Sequence, residues 1–379
     1  MAMIQVVAMQ TPYIILEGTD MKKRLLGMMT AAAMTAAMVL SGCSGSQTAA
    51  TTAGGETKTE AAAETKTEAA KTEAAKAEEK KDQLVVGFSQ VGAESDWRTA
   101  NTESMKSTFT EANGYKLIFD DAQQKQENQL KAVRNFIQQD VDYIVIAPVT
   151  ETGWDTVLQE AKDAGIPVII VDRMIDVSDD SLYTAWVGSN FLQEGYDAVA
   201  WLDEYLKKNN RADDDINIVT LQGTIGSSAQ IGRTDGVEEK MKDHPKWKML
   251  ERQTGEFTQA KGQEVMESFL KTYDDIDVVI AENDNMAFGA IDAIKAAGKT
   301  CGPKGDIIII SFDAVAAAFD SMIAGDMNVS VECNPLHGPR VAEIIQKLEK
   351  GESVDKIAYV QEGVYPADTA EQEKPKRAY

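Results

Sequence analysis

The chain has 379 residues, with 38 Lys and Arg against 61 Asp and Glu and a formal net charge of −23. So acidic a chain repels phosphate backbones and anionic headgroups, which excludes nucleic acid and charge-driven lipid binding. Its two histidines and three cysteines form no cluster at metal-ligand spacing and no GxSxG elbow is present, so neither a metal, a cofactor nor a nucleophile triad is expected.

The first signal along the chain is a leader. Lys22, Lys23 and Arg24 precede an apolar run over 25–40, and Leu40, Ser41, Gly42 and Cys43 follow. The run is too short for a stable membrane span and reads as a secretory signal with a lipoprotein cleavage pattern. Met21 reads as the true start, so 1–42 is assigned to the signal region. Cleavage before Cys43 leaves its thiol as the first mature residue. Lipidation there predicts a chain tethered to the extracytoplasmic face of a membrane, at the cell surface or in the periplasm. Residues 44–82 are built almost entirely from Ala, Thr, Glu, Lys and Gly, and 58–81 hold no aromatic or branched aliphatic residue. Such a segment cannot bury a core and predicts a disordered or transiently helical stalk. The folded body starts near Gln83 and is long enough for two domains.

From there short β-rich runs alternate with helical patterns. Strands are predicted over 84–88, 116–119, 143–147, 167–171 and 184–187, and then over 216–221, 248–251, 278–281, 307–311 and 329–331. Helices are predicted over 102–113, around Leu130, Val133 and Ile137, over 154–164, and over 194–208, 229–241, 259–270, 286–297 and 314–323. Strands apolar on both faces with helical crossovers mean parallel sheets covered on both sides. The expected fold class is α/β with two doubly wound lobes; an eightfold barrel is the structural rival.

Ligands of open parallel sheets sit beyond the carboxyl ends of the strands. Glu94, Trp97 and Arg98 follow the first strand, and Asp172 and Arg173 the fourth. Arg233 lies on the helix after 216–221, Asn283 follows 278–281, Asp313 follows 307–311 and Glu332 follows 329–331. Carboxylates, guanidinium groups and amides beside Trp97 and Phe257 suit the hydroxyls and C–H face of a neutral polyol. Phosphate would demand a basic pocket or a glycine-rich loop, and neither is evident. Each residue also has a plainer role. Asp172 and Arg173 can form a loop ion pair, Trp97 can be core, and Asn283 and Asp313 can cap helices. Arg233 can pair with a neighbouring carboxylate, and Glu332 can bridge the lobes. Cys301 and Cys333 read as isolated thiols rather than a disulfide.

Several segments carry a resemblance: VGFSQVGAESDWR (86–98), QQKQENQLKAV (123–133), IAPVTETGW (146–154), DRMIDV (172–177), LQGTIGSSAQIGR (221–233), KGQEVMESF (261–269) and END (282–284). Together they resemble the sugar-binding proteins of bacterial ABC importers that share the ribose-binding fold, and most of all the galactofuranose-binding branch. The resemblance implies a type I periplasmic binding protein with a three-segment hinge. Lobe 1 would comprise 83–188 plus 333–361, and lobe 2 would comprise 189–332 plus 362–379. It implies that Trp97 and Phe257 stack on the sugar ring. Arg98, Asp172, Arg173, Arg233, Asn283, Asp313 and Glu332 would then bind its hydroxyls, with Glu94 beside them. Two departures are visible. Ala314 stands where the branch tends to carry Gly and is expected to narrow that wall, and Cys333 lies beside a ligand residue.

The sequence thus predicts a lipid-anchored, monomeric carrier of a monosaccharide of the galactose series that serves an ABC permease and does no covalent chemistry. A sugar sensor presenting its ligand to a receptor kinase shares the fold and stays open as an alternative. A glycosidase using two strand-end carboxylates is a further rival, but carboxylates among arginines would stay ionised, which suits hydrogen bonding better than acid catalysis.

Overall fold

The computed structural model of the protein describes residues 83–379. The leader, the lipidation at Cys43 and the stalk fall outside the described residues. The chain begins with β1 (Leu84–Gln90), α1 (Asp96–Thr108), β2 (Tyr115–Asp121), α2 (Gln126–Gln138), β3 (Tyr143–Ile146), α3 (Asp155–Asp163), β4 (Val168–Val171) and β5 (Ala185–Gly188). It continues through α4 (Phe191–Lys208), β6 (Ile216–Gln222), α5 (Ser228–Met241), β7 (Trp247–Thr254), α6 (Gln259–Thr272), β8 (Val278–Ala281), α7 (Asp284–Ala296), β9 (Ile308–Asp313), α8 (Ala316–Ala324) and β10 (Val329–Glu332). It closes with α9 (His337–Glu349), β11 (Ile357–Tyr359), β12 (Val364–Pro366) and α10 (Ala370–Glu373).

These strands form two six-stranded sheets, ordered β11-β5-β4-β3-β1-β2 and β12-β10-β9-β8-β6-β7. All pairings are parallel except that of β10 with β12. β3, β4 and β8 are buried at every position, which is why they read as continuous apolar runs. Ile144, Ile146 and Ile170 pack under α2 and α3 with Phe136 and Leu158. Val145, Ile169 and Val171 face the other way, onto Met105 of α1 and Val341 of α9. Each such side chain contributes about 1.5–3 kcal/mol of burial. In both sheets the order reverses beside the first strand, between β1 and β3 and again between β6 and β8. That switch point opens a crevice at the carboxyl edge of each sheet.

The chain passes between the sheets three times, at 188–191, 332–337 and 359–364. β11 and β12 flank the third passage and extend the two sheets. At three residues each they are too short to stand out in the sequence, and α9 was also not foreseen, although Val341, Ile345 and Leu348 keep helical spacing on it. α1 begins six residues earlier than the periodicity suggests: Ser95 caps it by accepting from the Arg98 N–H at 3.1 Å, and its first turn holds a single apolar residue, Trp97, among polar ones. Cys301 and Cys333 are free and buried.

Candidate functional site

Trp97 and Arg98 ride on the first turn of α1, which the Ser95 cap aims at the second sheet. Arg98 is buried and pairs with Glu94 at 3.0 Å and Asp172 at 2.8 Å. Arg173 donates to the Val149 carbonyl at 3.1 Å and lies over the Phe257 ring at 5.1 Å. From the second sheet, Arg233 pairs with Glu194 at 2.6 Å and Asp313 at 3.4 Å, and also donates to the Glu282 carbonyl. Asn283 caps α7 through the Met286 N–H and donates to the Phe257 carbonyl at 3.0 Å. Its oxygen keeps one lone pair for another donor.

These groups enclose a tight cavity, about 20 Å³ to the centre of a water molecule, lined by Glu94, Ser95, Trp97, Arg98, Asp172, Arg173, Phe191, Ala229, Arg233, Phe257, Asn283, Asp313 and Cys333. Nine of the ten expected residues meet there. Glu332 does not: its carboxylate accepts from Arg377 at 2.9 Å, Tyr379 at 2.8 Å and Tyr365 at 3.1 Å. Burial opposes its charge, but those donors outweigh burial and hold its pKa below the usual carboxylate range. Ala314 does not narrow the wall either; it is buried behind it, its N–H bonded to Ser330 at 2.9 Å. Phe191, Ala229 and Ser95 were not foreseen. Phe191 opens α4 directly after the first passage, where the helical pattern is weakest.

Behind the wall runs a polar layer that the sequence did not reveal. Arg98 also donates to Gln90 Oε1 at 3.2 Å, Gln90 donates to Asn101 at 2.8 Å, and Asn101 reaches His337 Nδ1 at 2.8 Å. Burial drives His337 down to about 4, so it is neutral at pH 7, and its ring meets Trp97 edge-on at 6.0 Å. Trp97 Nε1 donates to the Cys333 carbonyl at 2.6 Å.

The electrostatics are those of paired charge. Burial pulls the pKa of Arg98 down, but Asp172 and Glu94 more than offset it and leave it raised. Arg173, with weaker partners, is lowered to about 10 by burial and then by the charge of Arg98. Asp313 is pushed well above the usual carboxylate range by burial, against the pull of Arg233. Glu94 Oε2 is buried without a hydrogen-bond partner. Asp172, Phe257 and Asp313 have φ of 63°, 60° and 102°, left-handed backbone that costs roughly 1–3 kcal/mol per residue and collects at functional sites. The cleft is shut: Asp96 N donates to Asn285 at 3.0 Å, Met174 N to Ser228 at 2.8 Å, and Glu151 N to the Gly226 carbonyl at 3.0 Å.

Residues 86–353 match the family described as periplasmic binding protein domain. The galactofuranose-binding protein YtfQ of Escherichia coli (strain K12) is 45% identical over 298 residues, 78% of this chain and 91% of that protein. A solved structure from Mycobacterium smegmatis in complex with beta-D-fucofuranose is 44% identical, with a TM-score of 0.74 over 78% of this chain and 95% of that one. The binding component of the arabinose ABC transporter from Shewanella sp. ANA-3, bound to alpha- and beta-L-arabinofuranose, is 46% identical, with a TM-score of 0.73 over 78% and 96%. The chain therefore belongs to the periplasmic binding protein family, of the ribose-binding type, a family of binding proteins rather than enzymes.

Proposed function

We propose that the chain binds a neutral monosaccharide in its furanose form, of the galactofuranose type, between its two lobes and delivers it to an ABC permease. The observation that carries this reading is the cavity itself. Two aromatic faces, Trp97 and Phe257, enter it from opposite sheets, among three buried guanidinium groups each held by carboxylates. Such a cavity balances charge, which suits an uncharged ligand rich in hydroxyls. The similar proteins named above carry galactofuranose, fucofuranose or arabinofuranose in their descriptions, and the five-membered ring is common to all three. Arg98 and Arg173 have the length and fork geometry to reach an exocyclic diol beyond the stacked ring. The lipid at Cys43 would hold the protein at the membrane beside its permease, with the stalk as spacer.

Calorimetric titration of the full chain with galactose, arabinose, fucose, ribose, xylose and glucose tests the assignment. Galactose or arabinose should bind at about micromolar strength, with apparent affinity limited by the minor furanose form in water. Ribose or xylose binding far more tightly than both would overturn the ligand assignment.

A further inference from the structure

The three passages between the lobes meet in one polar knot that adjoins the sugar cavity and shares Cys333 with its wall. Ser189 of the first passage donates to Glu362 of the third at 2.6 Å, and the Asn334 N–H of the second donates to the same Glu362 oxygen at 2.6 Å. Beside them stand the Cys333 thiol and Glu194 of α4. One donor atom each from Glu194, Cys333 and Glu362 lies within 4.8 Å of the other two. Glu194 is only 3% exposed and Cys333 2%. Glu194 Oε2 takes the Arg233 ion pair, while Oε1 is buried with no hydrogen-bond partner. Among the described residues Glu362 makes no ion pair, and Arg233, which pairs with Glu194, also serves Asp313.

We infer that Glu194, Cys333 and Glu362 form a binding site for a thiophilic divalent cation, Zn²⁺ by chemical class, at the junction of the three passages. Two carboxylates and a thiol with one shared guanidinium leave a deficit of positive charge in a water-poor layer. Burial and then the charge of Glu194 push Glu362 up to about 8, burial raises Glu194 to about 7, and burial followed by Glu194 lifts the Cys333 thiol well above its ordinary value. A proton can neutralise one carboxylate, but it brings no positive charge to the other. A cation answers all three donors. The sulfur selects Zn²⁺ over Mg²⁺ or Ca²⁺; it now shares a hydrogen bond with the Ser189 hydroxyl at 3.3 Å, which metal binding would replace. Binding converts thiol to thiolate and releases that proton, with any proton the carboxylates hold, so affinity rises with pH. The ion ties α4 to the second and third passages and fixes the angle between the lobes. Given the sugar-binding reading, it would slow release of the ligand.

The test is titration of the full chain, in a Cys43→Ser background that removes the lipid-accepting thiol, with Co²⁺ alone. One equivalent should produce a thiolate-to-cobalt charge-transfer band that Zn²⁺ displaces. The band should persist in Cys301→Ser and vanish in Cys333→Ser, and Glu362→Gln should weaken Co²⁺ binding about tenfold or more. Absence of the band, or its survival in Cys333→Ser, overturns the site. Should Cys333→Ser fail to fold, undiminished affinity in Glu362→Gln overturns it equally. No sugar enters these measurements, so they stand or fall apart from the ligand assignment.

Discussion

Arg233 sits where two buried carboxylates converge, and its removal shows how much of the site is charge pairing. Arg233→Ala strands Glu194 and Asp313 in a layer that excludes water. Breaking a buried pair from one side costs about 3–5 kcal/mol. The variant should unfold at a correspondingly lower urea concentration and lose measurable sugar binding; unchanged stability would show that the pair contributes nothing net. Trp97 divides differently. Trp97→Phe keeps an aromatic face and loses the bond to the Cys333 carbonyl, whereas Trp97→Ala loses both. We expect Trp97→Ala to weaken sugar about tenfold or more in calorimetry and Trp97→Phe to lie between it and the parent. Equal affinities for all three would remove Trp97 from the binding surface. Glu282 carries a pH signature. Burial raises it to about 7, although Thr234 and the Gly223 N–H donate to it at 2.6 and 2.7 Å. A carboxyl whose folded pKa is raised favours the fold while protonated, and that contribution fades as pH climbs from the unfolded value near 4.5 through about 7. The parent should therefore lose on the order of 3 kcal/mol relative to Glu282→Gln across that window in urea melts. A flat difference would mean that Glu282 is ionised without cost.

At the scale of elements, close approach sets the site. Gly195 on α4 and Gly236 on α5 let the two helices touch, since a Cβ on Gly195 would meet the Arg233 carbonyl at 2.7 Å. That approach brings Glu194 within reach of Arg233. Gly223, just after β6, leaves room for Phe257: a Cβ there would fall 1.9 Å from the ring. Gly223→Ala should push Phe257 into the cavity, costing about 1–3 kcal/mol of stability and a larger share of sugar affinity. Affinity equal to the parent's would show that Phe257 is not part of the ligand wall. The sequence displayed most of this scaffold because parallel strands buried on both faces leave uninterrupted apolar runs. It displayed the strand-end residues because the switch-point geometry gathers them. What it hid has a physical reason in each case. Strand-end position locates Glu332 but not its partners, and Arg377, Tyr365 and Tyr379 arrive from the far end of the chain. Gln90, Asn101 and His337 are polar, aperiodic and distant in sequence, so their chain of hydrogen bonds exists only once α9 packs on α1. α1 itself starts early because its capping is polar and leaves no hydrophobic period.

At the scale of the whole molecule, the ligand groups are divided between two lobes joined by three thin passages. Among the described residues, hydrogen bonds join Asp96 to Asn285, Met174 to Ser228 and Glu151 to Gly226 across the shut cleft, beside the contact of Arg173 with the Phe257 ring. Hydrogen bonds of this kind contribute about 0.5–1.5 kcal/mol each, which is little against the freedom gained when the lobes part. Without ligand, the interior carboxylates and guanidinium groups also regain water on opening. A sugar bridging Trp97 and Arg98 on one side to Arg233 and Phe257 on the other has full contact only in the shut form, so it must shift the population towards closure. Small-angle scattering of the full chain should therefore show a smaller radius of gyration with saturating galactose or arabinose than without, for whichever sugar binds. Ser228→Ala, which deletes one cross-cleft bond, should weaken apparent affinity severalfold while leaving lobe stability unchanged, because it taxes only the closed state. A scattering profile that does not change on addition of a sugar shown by calorimetry to bind would mean that the lobes are already fixed shut, and the passages would then be struts rather than hinges.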